Sequence, residues 1–137
     1  MNTKTDSGSI LRLLTGALGL GTILFSVPPI VAPRAFAVLF GLPHDAAAAK
    51  VGMRSVGVRD LVNGIGLLAT MNDPARSSRW LLVRFLSDCG DALACRAALI
   101  EAPKDWRLRL LGGVAAGASL VGAGLLAWSQ IQRAASR

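Results

Sequence analysis

Between Arg109 and Arg133 the chain carries no charged side chain. A helix over Leu108–Trp128 rises 1.5 Å per residue and so reaches roughly 30 Å, the hydrocarbon thickness of a bilayer. Backbone at that depth has no water to bond, so it must satisfy its N–H and C=O groups internally. An unbroken apolar run does this as a helix, whereas a barrel strand would alternate apolar and polar residues. Three more stretches of comparable length precede this one, over Ile10–Val27, Ala46–Met71 and Pro74 to about Glu101. Hydrophobic residues make up 53% of the 137 residues, more than a soluble domain usually carries.

The breaks between these stretches carry helix punctuation. Pro28-Pro29 is expected to end the first helix. Asp45 suits an N-cap for the second, and Asp73 followed by Pro74 suits the N-cap and first position of the third. Ala102-Pro103-Lys104-Asp105 separates the third helix from the fourth. Ile30–Leu42 is apolar but too short to cross a bilayer. Pro33 suits its first helical position, and Gly41-Leu42-Pro43 suits its stop. The fold class read from these features is all-α, an integral membrane four-helix bundle with a short interfacial or re-entrant helix after the first span. Its domain plan is a disordered N-terminal tail over 1–9, a transmembrane domain over 10–131 and a C-terminal tail over 132–137. Lys4 and Arg12 before an apolar run, with Ala35-Phe36-Ala37 downstream, also resemble a cleavable leader. The length of the apolar run and the distance to that cut speak against one.

Four spans place both termini on the same side. Lys4, Arg12, Arg76, Arg79, Arg133 and Arg137 on that side slightly outnumber the basic residues counted on the other, which predicts cytoplasmic termini. The net charge is +7, but the basic residues cluster near span ends and form no stripe interleaved with aromatics, so nucleic acid is not an expected partner. Trp80, Trp106 and Trp128 near the span ends read as interfacial residues. Gly113-x-x-x-Gly117 marks the expected close-packing face of the last helix, with Gly16 or Gly19 of the first span as its counterpart. Glycine-rich faces of this kind also offer a route to a homo-oligomer.

Charged residues inside the apolar stretches are the chemical signal. They cost ~2.5–3.5 kcal/mol each at mid-membrane and therefore usually mark function. Within Gly52–Gly64, Arg59 and Asn63 share a helix face with Gly52, Val56, Gly66 and Thr70, and Asp60 sits at its edge. Arg54 points away from that face, near the helix start. On the third helix Arg84, Asp88, Asp91 and Cys95 form a single stripe. Lipid cannot satisfy such groups, so the two polar stripes are expected to face each other inside the bundle.

Two carboxylates around an arginine, with an amide able to hold a water, can do acid–base work. Burial and mutual repulsion keep one carboxyl protonated while the arginine keeps the other ionised. The candidate catalytic residues are thus Asp60, Asp88, Asp91, Arg59 and Asn63, with Arg54, Arg84 and Cys95 as candidate substrate-binding residues. Ser55 and Ser87 have no histidine base. Cys89 and Cys95 lie too far apart along one helix for a disulfide. His44 is the lone histidine, and two carboxylates at Asp88 and Asp91 are too few for a metal cage, so no metal or other cofactor is expected.

The segments Phe40-Gly41-Leu42-Pro43 and Gly57-Val58-Arg59-Asp60 with Gly64, together with the aspartates of the third helix, resemble the small membrane proteins grouped as domain of unknown function 4267, which are related in shape to DoxX-like four-helix proteins. That resemblance covers roughly residues 10–130 and implies four membrane helices without implying a reaction. The Asp–Arg–Asp grouping also resembles, in chemistry alone, the active sites of limonene-epoxide-hydrolase-like enzymes, which are soluble and differently folded. The expected function is that of a membrane enzyme acting on a lipophilic small molecule, with membrane lipids as its surroundings. Epoxide opening by water or by an internal hydroxyl is the preferred reaction, and double-bond isomerisation would use the same groups. Two other classes compete with it. In one the Asp–Arg network only locks the helices of a structural subunit, and in the other the protein is a proton-coupled carrier.

Overall fold

The computed structural model describes residues 3–42, 45 and 47–134, with side chains from residue 8 onward; Pro43, His44, Arg137 and the other residues at those positions lie outside it. There are five helices, α1 (Thr3–Val31), α2 (Pro33–Leu39), α3 (Ala47–Thr70), α4 (Pro74–Glu101) and α5 (Trp106–Ala134), and no strand among the described residues. Asp73 caps α4 as expected, its Oδ1 accepting from the backbone amides of Ala75 (2.9 Å) and Arg76 (3.1 Å). The Arg76 amide foremost, aided by that of Ala75, holds the Asp73 carboxyl below its ordinary range. Asp105 does the same work for α5, accepting from the amides of Arg107 and Leu108. The short helix begins with Pro33 at its first turn and ends before Gly41, whose φ of +68° favours a residue without a side chain.

Two boundaries differ from expectation. Residues 3–9 continue α1 instead of forming a separate tail, and residues 132–134 likewise continue α5. Helix α1 also runs straight through Pro28-Pro29 to Val31. Its packing explains this, because α3 presents Gly57 at that level. A Cβ there would come within 2.6 Å of Ile30 and 3.1 Å of Pro29. Tertiary contact thus holds a turn that lacks two amide donors.

Helix α1 packs along α3 and α4 along α5, and these two pairs meet more sparingly, through α3–α4 and α1–α5. Glycines make the α1–α3 approach possible, since a Cβ on Gly64 would lie 2.7 Å from the Gly19 carbonyl oxygen. Gly66 admits the ring of Trp80, where a Cβ would fall 2.2 Å from a ring atom. Trp80 and Trp128 therefore pack against the core cluster of Leu11, Leu67, Leu81 and Leu125, and only Trp106 of the three tryptophans is largely exposed. The expected packing face of α5 is not used. Gly113, Gly117 and Gly124 have open space where a Cβ would stand.

The distribution of polarity is reversed relative to a water-soluble bundle. Among the described residues the buried polar side chains outnumber the buried hydrophobic ones, ten to eight. Leu13, Val58, Leu93 and Leu120, one from each long helix, point outward and are more than half exposed. Two helices are long and apolar enough to cross a membrane, over Gly8–Val31 and Trp106–Ala134, and only 28% and 22% of these spans are buried. They are therefore not core helices shielded by other elements. Helices α3 and α4 fall short of that apolarity because Arg59, Asp60, Arg84, Asp88 and Asp91 interrupt them.

Candidate functional site

The two polar stripes do meet. Antiparallel α3 and α4 bring five charged side chains into one chain of ion pairs, Asp91–Arg59–Asp60–Arg84–Asp88. Arg59 grips Asp91 with both ends of its guanidinium, Nη1 donating to Oδ1 at 2.9 Å and Nη2 to Oδ2 at 2.6 Å. Its Nε and Nη2 also donate to Asp60 Oδ1, at 3.2 and 3.0 Å. The same Asp60 oxygen lies 3.3 Å from Arg84 Nη1, and Arg84 Nη2 lies 2.7 Å from Asp88 Oδ1. Paired, fork-like contacts of the Arg59–Asp91 kind fix geometry as well as charge. Counted over Asp60, Asp88 and Asp91 against Arg59 and Arg84, the fully ionised group carries one net negative charge.

The two ends of this chain differ. At the outer end the Arg59 and Asp91 side chains are about a third exposed. At the inner end the Arg84, Asp88 and Asp60 side chains are almost wholly buried. The inner end is also incomplete. Arg84 Nε and Nη1 and Asp88 Oδ2 are buried and make no hydrogen bond. An unpaired buried donor or acceptor is costly, so the inner end is the less well satisfied part of the network.

Arg84 and Asp88 line a cavity of about 270 Å³ with their other atoms, those three being closed to water. It lies between the α1/α3 pair and the α4/α5 pair, at the α2 end of the molecule. Its polar wall is Asp60, Arg84, Asp88 and Asp91, all from α3 and α4. The facing walls are apolar, with Phe25 from α1, Phe36 from α2 and Leu108 and Leu111 from α5. The Phe25 and Phe36 rings meet edge to face with centroids 5.5 Å apart, tying the short helix to α1. Cys95 completes the α4 wall beside Ala94 and Ala98. It is a free thiol, as is Cys89.

Two candidates stand elsewhere. Asn63 is buried between α3 and α4, its amide donating to Ser87 Oγ at 3.4 Å, outside the cavity wall. It ties the helices together and does not reach the carboxylates. Arg54 is exposed and does not line the cavity. The aromatic and aliphatic wall was not singled out in the sequence, since Phe25, Phe36 and Met53 have no periodic or chemical signature that separates them from lipid-facing residues.

A family model described as Domain of unknown function (DUF4267) matches residues 19–130. The chain belongs to this family. The matched segment contains the whole DUF4267 cluster of ion pairs and every wall of the cavity. No curated protein and no solved structure matches the chain.

Proposed function

We propose that this DUF4267 protein is a multi-pass membrane enzyme that opens lipophilic epoxides by acid–base chemistry. In this reading all four long helices cross the bilayer, with both termini on the cytoplasmic side. The α3–α4 face supports it, because Arg59, Asp60, Arg84, Asp88 and Asp91 turn towards one another and pair while Val58, Val62, Leu86 and Leu93 face out. One observation carries the chemical part, namely the placement of Asp60, Arg84, Asp88 and Asp91 together on the polar wall of an otherwise apolar cavity.

Asp88 acts as the acid. With Asp88 protonated the cluster of three aspartates and two arginines is electrically neutral. Its proton passes to the epoxide oxygen as the C–O bond breaks and the bonding pair goes to that oxygen. Water or a hydroxyl of the substrate forms the new C–O bond and gives its proton to Asp91, the more exposed of the two remaining carboxylates on the cavity wall. The cluster thus ends the step with the charge it began with, and proton exchange between the two carboxylates resets it. Arg59 holds Asp91 in place, and Arg84 donates to the oxygen on which charge develops. Arg59 and Asn63 also join α3 to α4, so they position the site without touching substrate.

The test is a panel of lipophilic epoxides supplied to the purified protein in detergent, with wild type and Asp88→Asn compared. The amide fills the volume of the carboxyl but cannot deliver a proton. Asp88→Asn is expected to melt close to wild type, since Arg84 keeps Asp60 as a counter-charge, and to turn over at least ~100-fold more slowly. An Asp88→Asn protein that retains wild-type turnover would refute the assignment.

A further inference from the structure

We propose that a second site, at the end of the molecule away from the cavity, binds one anionic phospholipid, with its phosphate at Arg12 and an acyl chain along α1 and α3. This rests on α1 crossing the bilayer and not on the epoxide chemistry.

Two clefts meet there. One, of about 380 Å³, lies between the start of α1, the α3–α4 turn and the end of α5. Its polar wall is Thr15, Asn72, Ser77 and Gln132 beside Arg12. The other, of about 740 Å³, is a groove along α1 and α3 walled by Leu13, Gly16, Ala17, Leu20 and Leu68. Arg12, Met71 and Asn72 line both. Arg12 and Asn72 are exposed, so they are open to a ligand where the polar cleft joins the apolar groove.

The charge at that junction is unspent. Arg76 pairs with Asp73, and Arg133 donates to the Pro74 carbonyl oxygen. Arg12 has no ion pair or hydrogen-bond partner among the described residues. Neither cleft has an acidic side chain among the described residues of its walls. Asp73, next to Asn72 in the chain, is committed to the α4 amides and to Arg76. A phosphate is therefore matched by Arg12. A headgroup ammonium is not matched, since neither wall offers it a carboxylate or an aromatic face. The groove takes the hydrocarbon. From Arg12 to Leu20 it runs roughly 12 Å at ~1.5 Å per residue, most of one leaflet's share of a ~30 Å hydrocarbon layer. Leu13 and Leu20 are more than half exposed on either side of Gly16 and Ala17. A soluble phosphate ester would use the polar cleft and leave the groove empty, whereas a phospholipid occupies both.

Native mass spectrometry of the full chain released from detergent micelles counts bound lipid directly. Dioleoyl phosphatidylglycerol and dioleoyl phosphatidylcholine, which share their chains, are titrated separately, with glycerol phosphate as the ester that has no chains. Wild type is expected to take up its first phosphatidylglycerol with at least tenfold higher affinity than phosphatidylcholine, and no glycerol phosphate at the same concentration. Arg12→Gln should bring the ratio of the two lipids below twofold. Ala17→Phe should weaken phosphatidylglycerol at least fivefold by filling the groove. Both changes fall at exposed positions, where the fold tolerates them. Arg79→Gln, near the start of α4 but in neither wall, should alter nothing. Equal affinity for the two lipids overturns the inference, and so does an Arg12→Gln protein that keeps the wild-type ratio. A loss in Arg79→Gln as large as that in Arg12→Gln also overturns it, because the attraction would then be diffuse. Glycerol phosphate bound as tightly as the lipid overturns it too, since the groove would contribute nothing. Equal lipid affinities with epoxide turnover intact remove this site and leave the enzyme. The expected preference with no epoxide turnover does the reverse.

Discussion

Replacing Arg59 by methionine removes the residue that joins the two helix pairs most directly. Methionine keeps an unbranched chain of similar reach and no charge. The variant loses two hydrogen bonds to Asp91 and two to Asp60. Asp91 is 37% exposed and recovers part of its loss by hydration. Asp60 is 4% exposed and keeps only Arg84 Nη1 at 3.3 Å. The cost is therefore dominated by Asp60, on the order of 3 kcal/mol, the lower part of the range for orphaning one member of a buried pair. At ~3–4 °C per kcal/mol this lowers the melting temperature by roughly 10 °C. Asp91→Asn is the control. It keeps an oxygen for Arg59, which remains neutralised by Asp60, and should cost only about 1 kcal/mol. The assay is a thermal melt of both variants in one detergent, with epoxide turnover measured per folded molecule. An Arg59→Met protein that melts within about 2 °C of wild type would refute the claim that this network joins the helices.

Gly64→Ala should destabilise the protein by ~1–3 kcal/mol, because the new Cβ meets the Gly19 carbonyl oxygen and the two backbones must part. Gly117→Ala introduces the same methyl into open space and should raise stability by up to ~1 kcal/mol through helix propensity; a loss there in the melt would mean that the face is occupied. Gly66→Ala should be at least as damaging as Gly64→Ala, since the Trp80 ring stands where the methyl would go, and a shorter side chain at position 80, as in Trp80→Leu, should recover part of the loss. Single cysteines placed at Ser7 and Ser136 should be labelled from the same side of sealed vesicles by a membrane-impermeant maleimide, whereas labelling from opposite sides would reject the four-crossing topology.

The helices were legible wherever capping chemistry was local. Asp73-Pro74 names the start of α4 because an acceptor and a residue without an amide are both suited to a helix N-terminus. Pro28-Pro29 misled for the complementary reason. Local chemistry says stop, but Gly57 lies twenty-eight residues further on and lets α3 pack against that turn. The glycine faces misled in the same way. Gly113-x-x-x-Gly117 has the spacing for close approach, yet spacing does not say whether a partner is present, and within this chain Gly19, Gly57 and Gly64 take that role. Trp80 sits at a span end and looks interfacial, but Gly66 opens a slot for it in the interior.

The site was legible to the extent that lipid forbids lone charges. Arg84, Asp88 and Asp91 on one stripe had to join a network with α3, and they do, whereas Cys95 packs beside Gly112 of α5. The sequence could not say which carboxylate would be left incomplete, because that depends on where each guanidinium spends its donors. Arg59 spends its donors on Asp91 and Asp60, leaving its end of the network closed. Arg84 reaches Asp88 with Nη2 and lies against Asp60 with Nη1, and its Nε makes no hydrogen bond. A structural and a chemical reading of the cluster need not exclude one another. In a bilayer the helix pairs gain little from hydrophobic attraction, since lipid tails are as apolar as leucine. Polar groups must then do more of the joining, and the sparse meeting of α3 with α4 is where they sit. The cavity occupies the cleft that the same sparse packing leaves. A single network can therefore serve both ends, with Arg59 closing the structure and Arg84 and Asp88 lining the space beside it.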